Sequence, residues 1–244
     1  MNRFFYTLES VPSDLAIKAF GREHLTWLIV FVLLGAGCVA LYRRLDDRRR
    51  DHMRLILAAL AVAVGLFKQI CLIKGGMWHP AYLPFCFCSL GIFFMALHAL
   101  RGNAFFADVL YVFYLPMSFF ALLDPYWLAL PGKNFLSWYY FAAHILLLIY
   151  PLMLVVGRTL RPDPRHIPRL VLLAVCLWIP LFALDAALDV NFLFLMSPPA
   201  GNILNWFTAK CGAHLVGVPV LTALMLLGMY GIAVLFGFSA KKGE

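Results

Sequence analysis

The stretch YLPFCFCSLGIF, residues 82–93, is apolar nearly throughout, yet it carries two thiols and a hydroxyl, Cys86, Cys88 and Ser89. A cysteine attacks as its thiolate, and a thiol in apolar surroundings keeps its proton unless a base stands near. A histidine can take that proton and return it to a leaving group. His144, inside the run FAAHILLLIYP (141–151), is the residue type such a thiol needs. Cys88 with His144 therefore points to nucleophilic catalysis. The plainer reading of the thiols is packing, since a free cysteine in an apolar helix behaves as a small hydrophobe. Cys38, Cys71 and Cys176 are expected as core filler of that kind. Neither Cys86 nor Cys88 belongs to a C-x-x-C pair, nor does any other cysteine, so no zinc or redox centre is indicated. No cofactor and no metal are expected.

Other polar residues stand in or beside apolar sequence: Glu23 and His24, Lys68 and Gln69, Asp185 and Asp189, and Asn191. Asp185 and Asp189, at i and i+4, share one helix face. A polar group inside a bilayer is costly and turns toward a cavity or a partner. Each also has a structural use. Lys68 can snorkel to the interface, Asp189 can cap a helix end, and His24 can anchor one.

The elements that must position these groups are membrane helices. The chain has 244 residues, of which 64% are hydrophobic and 13% charged; its mean hydropathy is +0.87. Soluble domains carry about 25% charged residues, so composition alone makes this a membrane protein. A spanning helix needs about 20 mostly apolar residues. Seven stretches qualify: 24–42, 55–74, 82–100, 104–123, 135–157, 169–188 and 212–237. The expected fold is an all-α, seven-helix transmembrane bundle forming a single domain over residues 1–244, with short connections and no linker or repeat. No apolar run of signal-peptide type precedes Leu25.

The net charge of +8 does not indicate nucleic-acid binding, because the basic residues cluster in short loops. Arg43, Arg44, Arg48, Arg49, Arg50, Arg54, Arg101, Arg158, Arg161, Arg165, Arg169, Lys241 and Lys242 fall on one side; the smaller set Arg3, Lys18, Arg22, Lys74, Lys133 and Lys210 falls on the other. The excess on one side puts the C-terminus in the cytoplasm and the N-terminus outside. On that orientation the polar residues gather in the outer half of the membrane. Lys68 and Cys88 lie about 10 Å, and His144 about 14 Å, below the outer rim at 1.5 Å of rise per residue. The inner half is plainer, with His98 and Asp108 as exceptions. The asymmetry implies a site open to the outer face or leaflet.

At these residues a resemblance appears. FGREHL (20–25), LPFCFCSLGIF (83–93), FAAHILLLIYP (141–151) and NFLFLMSPP (191–199) resemble, in order, the motif series of the bacterial YwaF-type integral membrane family. That family is similar to eukaryotic transmembrane protein 164, a seven-helix protein described as a cysteine-dependent phospholipid acyltransferase. The resemblance implies a nucleophile at Cys88, a histidine at His144, the opening pair at Glu23 and His24, and the loop asparagine at Asn191. It implies residence in the bacterial inner (cytoplasmic) membrane. One departure matters: YwaF-type sequences often read LPLHLCS, and this chain has Cys86 where they have histidine. His144 or His24 is then the candidate base, and either cysteine the candidate thiol.

The reading that follows is a lipid acyltransferase or transacylase, with phospholipid or lysophospholipid as substrate, Cys88 and His144 as catalytic pair, and His24, Glu23, Lys68, Gln69, Ser89, Asp185 and Asn191 as binding or supporting residues. Lys68 or Asn191 is the expected oxyanion donor. The alternative is a seven-helix transporter or ligand-binding protein with a polar outward-facing pocket. Against it stand the lack of an inverted repeat and the scarcity of broken helices. A third reading has the polar residues only stitching helices together.

Overall fold

The structure, a computed structural model, describes residues 3–7, 11, 15–124, 129–198 and 201–239. Lys241 and Lys242, counted above on the inner side, lie outside them. Among the described residues there is no strand, and seven helical spans are long and apolar enough to cross a membrane. The helices are α1 (Arg22–Arg44), α2 (Asp47–Lys74), α3 (Phe87–Arg101), α4 (Ala104–Val109), a π-helical turn (Leu110–Tyr114), α5 (Leu115–Leu123), α6 (Phe135–Val156), α7 (Ile167–Leu188), α8 (Leu204–Cys211) and α9 (Gly217–Leu235). They form two compact units, Met1–Trp78 with Gly91–Leu160, and His79–Leu90 with Arg161–Glu244.

The first unit is organised around α6, which packs against α1, α2 and α5. α6 is apolar around its whole circumference and is buried along nearly its whole length, as a helix with no polar face must be. The outer helices show the complementary pattern. Ile29 and Leu33 on α1, Ile56 and Leu66 on α2, and Leu100 on α3 all point outward, which only a lipid solvent accommodates. Asn134 caps α6: its Oδ1 accepts from the Leu136 amide at 2.8 Å, and its Nδ2 donates to the carbonyls of Arg3 and Tyr6 at 3.3 and 2.8 Å. The N-terminal segment is thus tied to the start of the central helix.

Asp46 caps α2 in the same way, accepting from the Arg49 amide at 2.9 Å. That cap, with the i, i+3 pairs Arg50–Asp47 and Arg54–Asp51, explains why α2 begins at Asp47 and not near residue 55, where the apolar run starts. The fourth span is interrupted by the π-helical turn, where the Leu115 amide bonds the Leu110 carbonyl. Pro116 follows at once. It has no N–H to give and would clash with the carbonyl four residues back, and the wider turn absorbs both problems.

The second unit has its own core of Leu181, Val190 and Phe192, packed by Leu83, Phe85, Leu90, Leu184 and Leu193. α7 ends at Asp189, which takes a left-handed conformation (φ 52°). The Asp189 and Val190 amides both return to the Asp185 carbonyl. α8, which the sequence does not announce, folds onto the start of α9. A Cβ on Gly217 would lie 2.5 Å from the Phe207 ring and 2.8 Å from Leu204, so only glycine allows this approach. Cys176 and Cys211 are exposed. The expectation that Cys176 fills the core is therefore corrected: it sits on the outward face of α7 with Leu172 and Ile179.

Candidate functional site

The third apolar span runs Pro80–Arg101 and opens with a 3-10 turn at Pro80–Tyr82; its α-helix, α3, begins at Phe87. The Leu90 amide bonds the Cys86 carbonyl at 3.1 Å, so Cys86 takes the cap position. Cys88 then falls in the first turn of α3. At the cap, Cys86 Sγ lies 3.0 Å from Ser89 Oγ and 3.5 Å from Cys88 Sγ. The two thiols and the hydroxyl are therefore one cluster on one turn, with Cys86 at its centre. Both cysteines remain partly exposed, while Ser89 is buried. The turn is held in place by its flanks. Phe85 stacks edge-on against Phe192 with ring centroids 5.6 Å apart, and Leu90 joins the same core.

Phe192 also reaches Asp185. Its amide donates to Asp185 Oδ1 at 2.9 Å, and the carboxylate is wholly buried. Oδ2 has no hydrogen-bond partner among the described residues. Asp185 thus fixes the chain that leaves α7 and, through Phe192, the residue against which the thiol turn rests. Asn191 is absorbed by the same loop: its Nδ2 donates to the Ser197 carbonyl at 2.6 Å, and its Oδ1 accepts from the Met196 amide at 3.1 Å. His214 ties the loop to the start of the last span by donating to the Leu195 carbonyl at 3.0 Å.

The remaining residues belong to the first unit. His144 is buried, and its Nδ1 is 2.7 Å from the Tyr140 carbonyl one turn earlier. A carbonyl only accepts, so Nδ1 carries the proton and Nε2 keeps its lone pair. Nε2 has no hydrogen-bond partner among the described residues. The Tyr140 ring sits 4.2 Å from the imidazole, and its hydroxyl donates to the Ala121 carbonyl at 2.8 Å. His24 differs. Its Nε2 donates to the Leu122 carbonyl at 2.8 Å while its Nδ1 accepts from the Phe20 amide at 2.9 Å. Both nitrogens are spoken for, and Phe20 is held at a left-handed φ of 54° to make that bond. Lys68 is buried with its ammonium 4.6 Å from the centre of the Tyr139 ring, a desolvated cation–π contact. Gln69 beside it is half-buried. The exposed Glu23 lies across Gly132, where a Cβ would come within 2.6 Å of its carboxylate.

The structure thus groups Cys86, Cys88 and Ser89 in one unit with Asp185 and Asn191, and His24, Lys68 and His144 in the other. Tyr139, Tyr140 and Phe192 are the supporting residues that sequence reasoning missed. An apolar run rich in aromatics gives no sign of which ring meets a charge and which carbonyl orients a histidine. Among the described residues no group of three histidine, cysteine or acidic side chains is disposed to hold a metal ion.

No curated protein matches the chain, and no solved structure does. Residues 19–230 match the TMEM164 family, nearly the whole of this bundle, and the chain belongs to that family.

Proposed function

We propose that the chain is a membrane-embedded lipid acyltransferase of the YwaF-type bacterial branch of its family, working in the outer half of the inner membrane through Cys88 and His144. The observation that carries this reading is the cluster of Cys86, Cys88 and Ser89 on the first turn of α3. A helix start is the positive end of the helix dipole and favours a thiolate or an oxyanion there. The neighbouring thiol and hydroxyl add polar hydrogens that can solvate it in a bilayer. His144 supports the reading independently, since the Tyr140 carbonyl fixes the tautomer that leaves Nε2 as a base. His24 uses both ring nitrogens in structural bonds, which favours His144 over it. Asn191 spends its amide on Ser197, which leaves the α3 turn and Lys68 as the better oxyanion partners.

In the proposed reaction His144 takes the Cys88 proton, and Sγ attacks the carbonyl carbon of a phospholipid ester. The tetrahedral adduct collapses, the ester C–O bond breaks, and the lysolipid oxygen leaves with the proton from His144. Cys88 is left as an acyl thioester. A lysophospholipid hydroxyl then loses its proton to His144, attacks the thioester and releases the new ester, and the proton returns to Cys88. No oxidant, metal or cofactor enters the balance.

Intact mass of the purified protein after incubation with phospholipid tests this, before and after hydroxylamine. The expected result is an acyl mass increment that hydroxylamine removes, that Cys88→Ala abolishes, and that Cys86→Ala retains. His144→Ala is expected to slow its formation by about 10²-fold or more, the usual contribution of a positioned base. Lipid composition in vesicles unchanged by wild-type protein, with no adduct, would refute the reading and leave transport as the alternative.

A further inference from the structure

The basic end of the first unit holds a second polar cluster that the acyl-transfer reading does not use. Arg50 and Arg54 sit one turn apart on α2, with side chains only 22% and 18% exposed. Their carboxylate partners are peripheral: Asp47 is 95% exposed and Asp51 60%. Positive charge is therefore drawn inward while its counter-charge stays outside. Arg50 is accounted for. Its Nε and Nη2 donate to the Tyr42 and Arg43 carbonyls at 3.1 and 3.4 Å, closing the end of α1, and its guanidinium lies 5.5 Å from the Tyr42 ring centre.

Arg54 is not accounted for in this way. One Nη2 bond reaches Asp51, while the buried Nε–H has no acceptor among the described residues. His98 and Tyr150 lie within electrostatic reach of the guanidinium. Both are buried, and His98 Nδ1 is 2.8 Å from the Tyr150 hydroxyl. His98 Nε2 has no partner among the described residues. Tyr42, near Tyr150, has its hydroxyl engaged 3.0 Å from Thr159. Asp51 is the carboxylate that pairs with Arg54. A buried guanidinium edge with an unmet N–H is costly and calls for an anionic acceptor. The depth fits one class. Arg54 lies seven residues past the start of α2, about 10 Å along the helix, and the positive-inside rule places this end at the cytoplasmic headgroup level.

We propose that Arg54 binds a phosphate group, the anion shared by a cytoplasmic-leaflet phospholipid headgroup and free phosphate. The guanidinium edge would donate to one phosphate oxygen pair, as arginine does in planar recognition.

The test uses full-chain protein stripped of lipid in a neutral maltoside detergent. Thermal unfolding is followed while phosphatidylglycerol or inorganic phosphate is added at constant ionic strength. Wild type is expected to show a saturable rise in midpoint. Arg54→Gln is expected to weaken the apparent affinity at least about tenfold, the scale of one charge-assisted bond. Arg48→Gln removes the same charge from an exposed position on the same helix and is expected to stay within twofold of wild type. Should Arg54→Gln not fold, Arg54→Lys keeps the charge but loses the Nε–H, and carries the same test. Saturation by phosphatidylglycerol alone identifies the lipid headgroup; saturation by both ligands shows that the phosphate itself is recognised. No saturable shift with either ligand, or equal losses at Arg48 and Arg54, would overturn the proposal.

Discussion

Gly91 offers a test of how tightly α3 is set in the first unit. A Cβ built there would lie 2.5 and 2.6 Å from two ring carbons of Tyr114 and 2.9 Å from Leu147 Cδ2. Both neighbours are buried, at 2% and 0% exposure, so neither has free space to retreat into. Two effects oppose each other in Gly91→Ala. Alanine gains about 1 kcal/mol of helix propensity. Overpacking a closed core costs about 1–3 kcal/mol, and a ring that must move by close to 1 Å belongs at the upper end. The expected net is a loss of about 1–2 kcal/mol, a factor of about 5–30 in the folded-to-unfolded ratio. Gly231 on α9 supplies the control, because a Cβ there meets nothing within 4 Å; only the propensity gain of up to about 1 kcal/mol remains. Denaturant titration in mixed micelles reads both variants. If Gly91→Ala proves as stable as Gly231→Ala, the close approach of α3 to Tyr114 and Leu147 is refuted. Gly91 is also one turn from Cys88 on the same helix, so any tilt of α3 forced by the extra methyl should also lower the rate of adduct formation.

The other predictions separate structural from chemical roles. His24→Ala removes two hydrogen bonds and strands the buried Leu122 carbonyl, so the stability loss should be about 1–3 kcal/mol. Acyl-adduct formation per folded molecule should stay within a few-fold of wild type, and its complete loss would make His24 the base. Asp185→Asn keeps the acceptor for the Phe192 amide and should unfold within about 1 kcal/mol of wild type; Asp185→Ala strands that buried amide at a cost of about 1–3 kcal/mol. Limited proteolysis across residues 190–198 should therefore be faster in Asp185→Ala and unchanged in Asp185→Asn. Equal cleavage in both would mean that the hydrogen bond does not hold the loop.

What was legible in the sequence follows from what sequence encodes locally. Runs of about 20 apolar residues announce spanning helices whatever lies around them, and all seven are present. The ends are less legible, for identifiable reasons. α2 reaches back through RRRDHMR to Asp47 because Asp46 caps it and Asp47 and Asp51 pair at i, i+3 with Arg50 and Arg54 on its first turns; an apolar-run criterion is blind to both. The third span opens with a 3-10 turn at Pro80–Tyr82, and its α-helix begins only at Phe87. α8 is invisible to such a criterion: eight residues, with Leu204 and Phe207 as the buried pair, gain helical structure only by packing on Gly217.

The site shows the same division more sharply. Cys86, Cys88 and Ser89 stand close in sequence, and on a helical turn closeness in sequence becomes closeness in space. Placing the turn's start at Cys86 changes their meaning. Deep in a helix, two thiols face apolar neighbours and are inert by default. At a cap, the same thiols sit where the backbone field favours negative charge. The histidines needed more than their own positions. His24 and His144 are the same residue type in similar apolar settings, and only the partners distinguish them: an amide and a carbonyl use up the first, and one carbonyl leaves the second with a free lone pair. Those partners are backbone atoms of Phe20, Leu122 and Tyr140, which every residue possesses, so no side-chain pattern could have marked them. The choice of His144 over His24 as the proposed base thus rests on which backbone groups the fold presents to each ring, a property that exists only once the helices have packed.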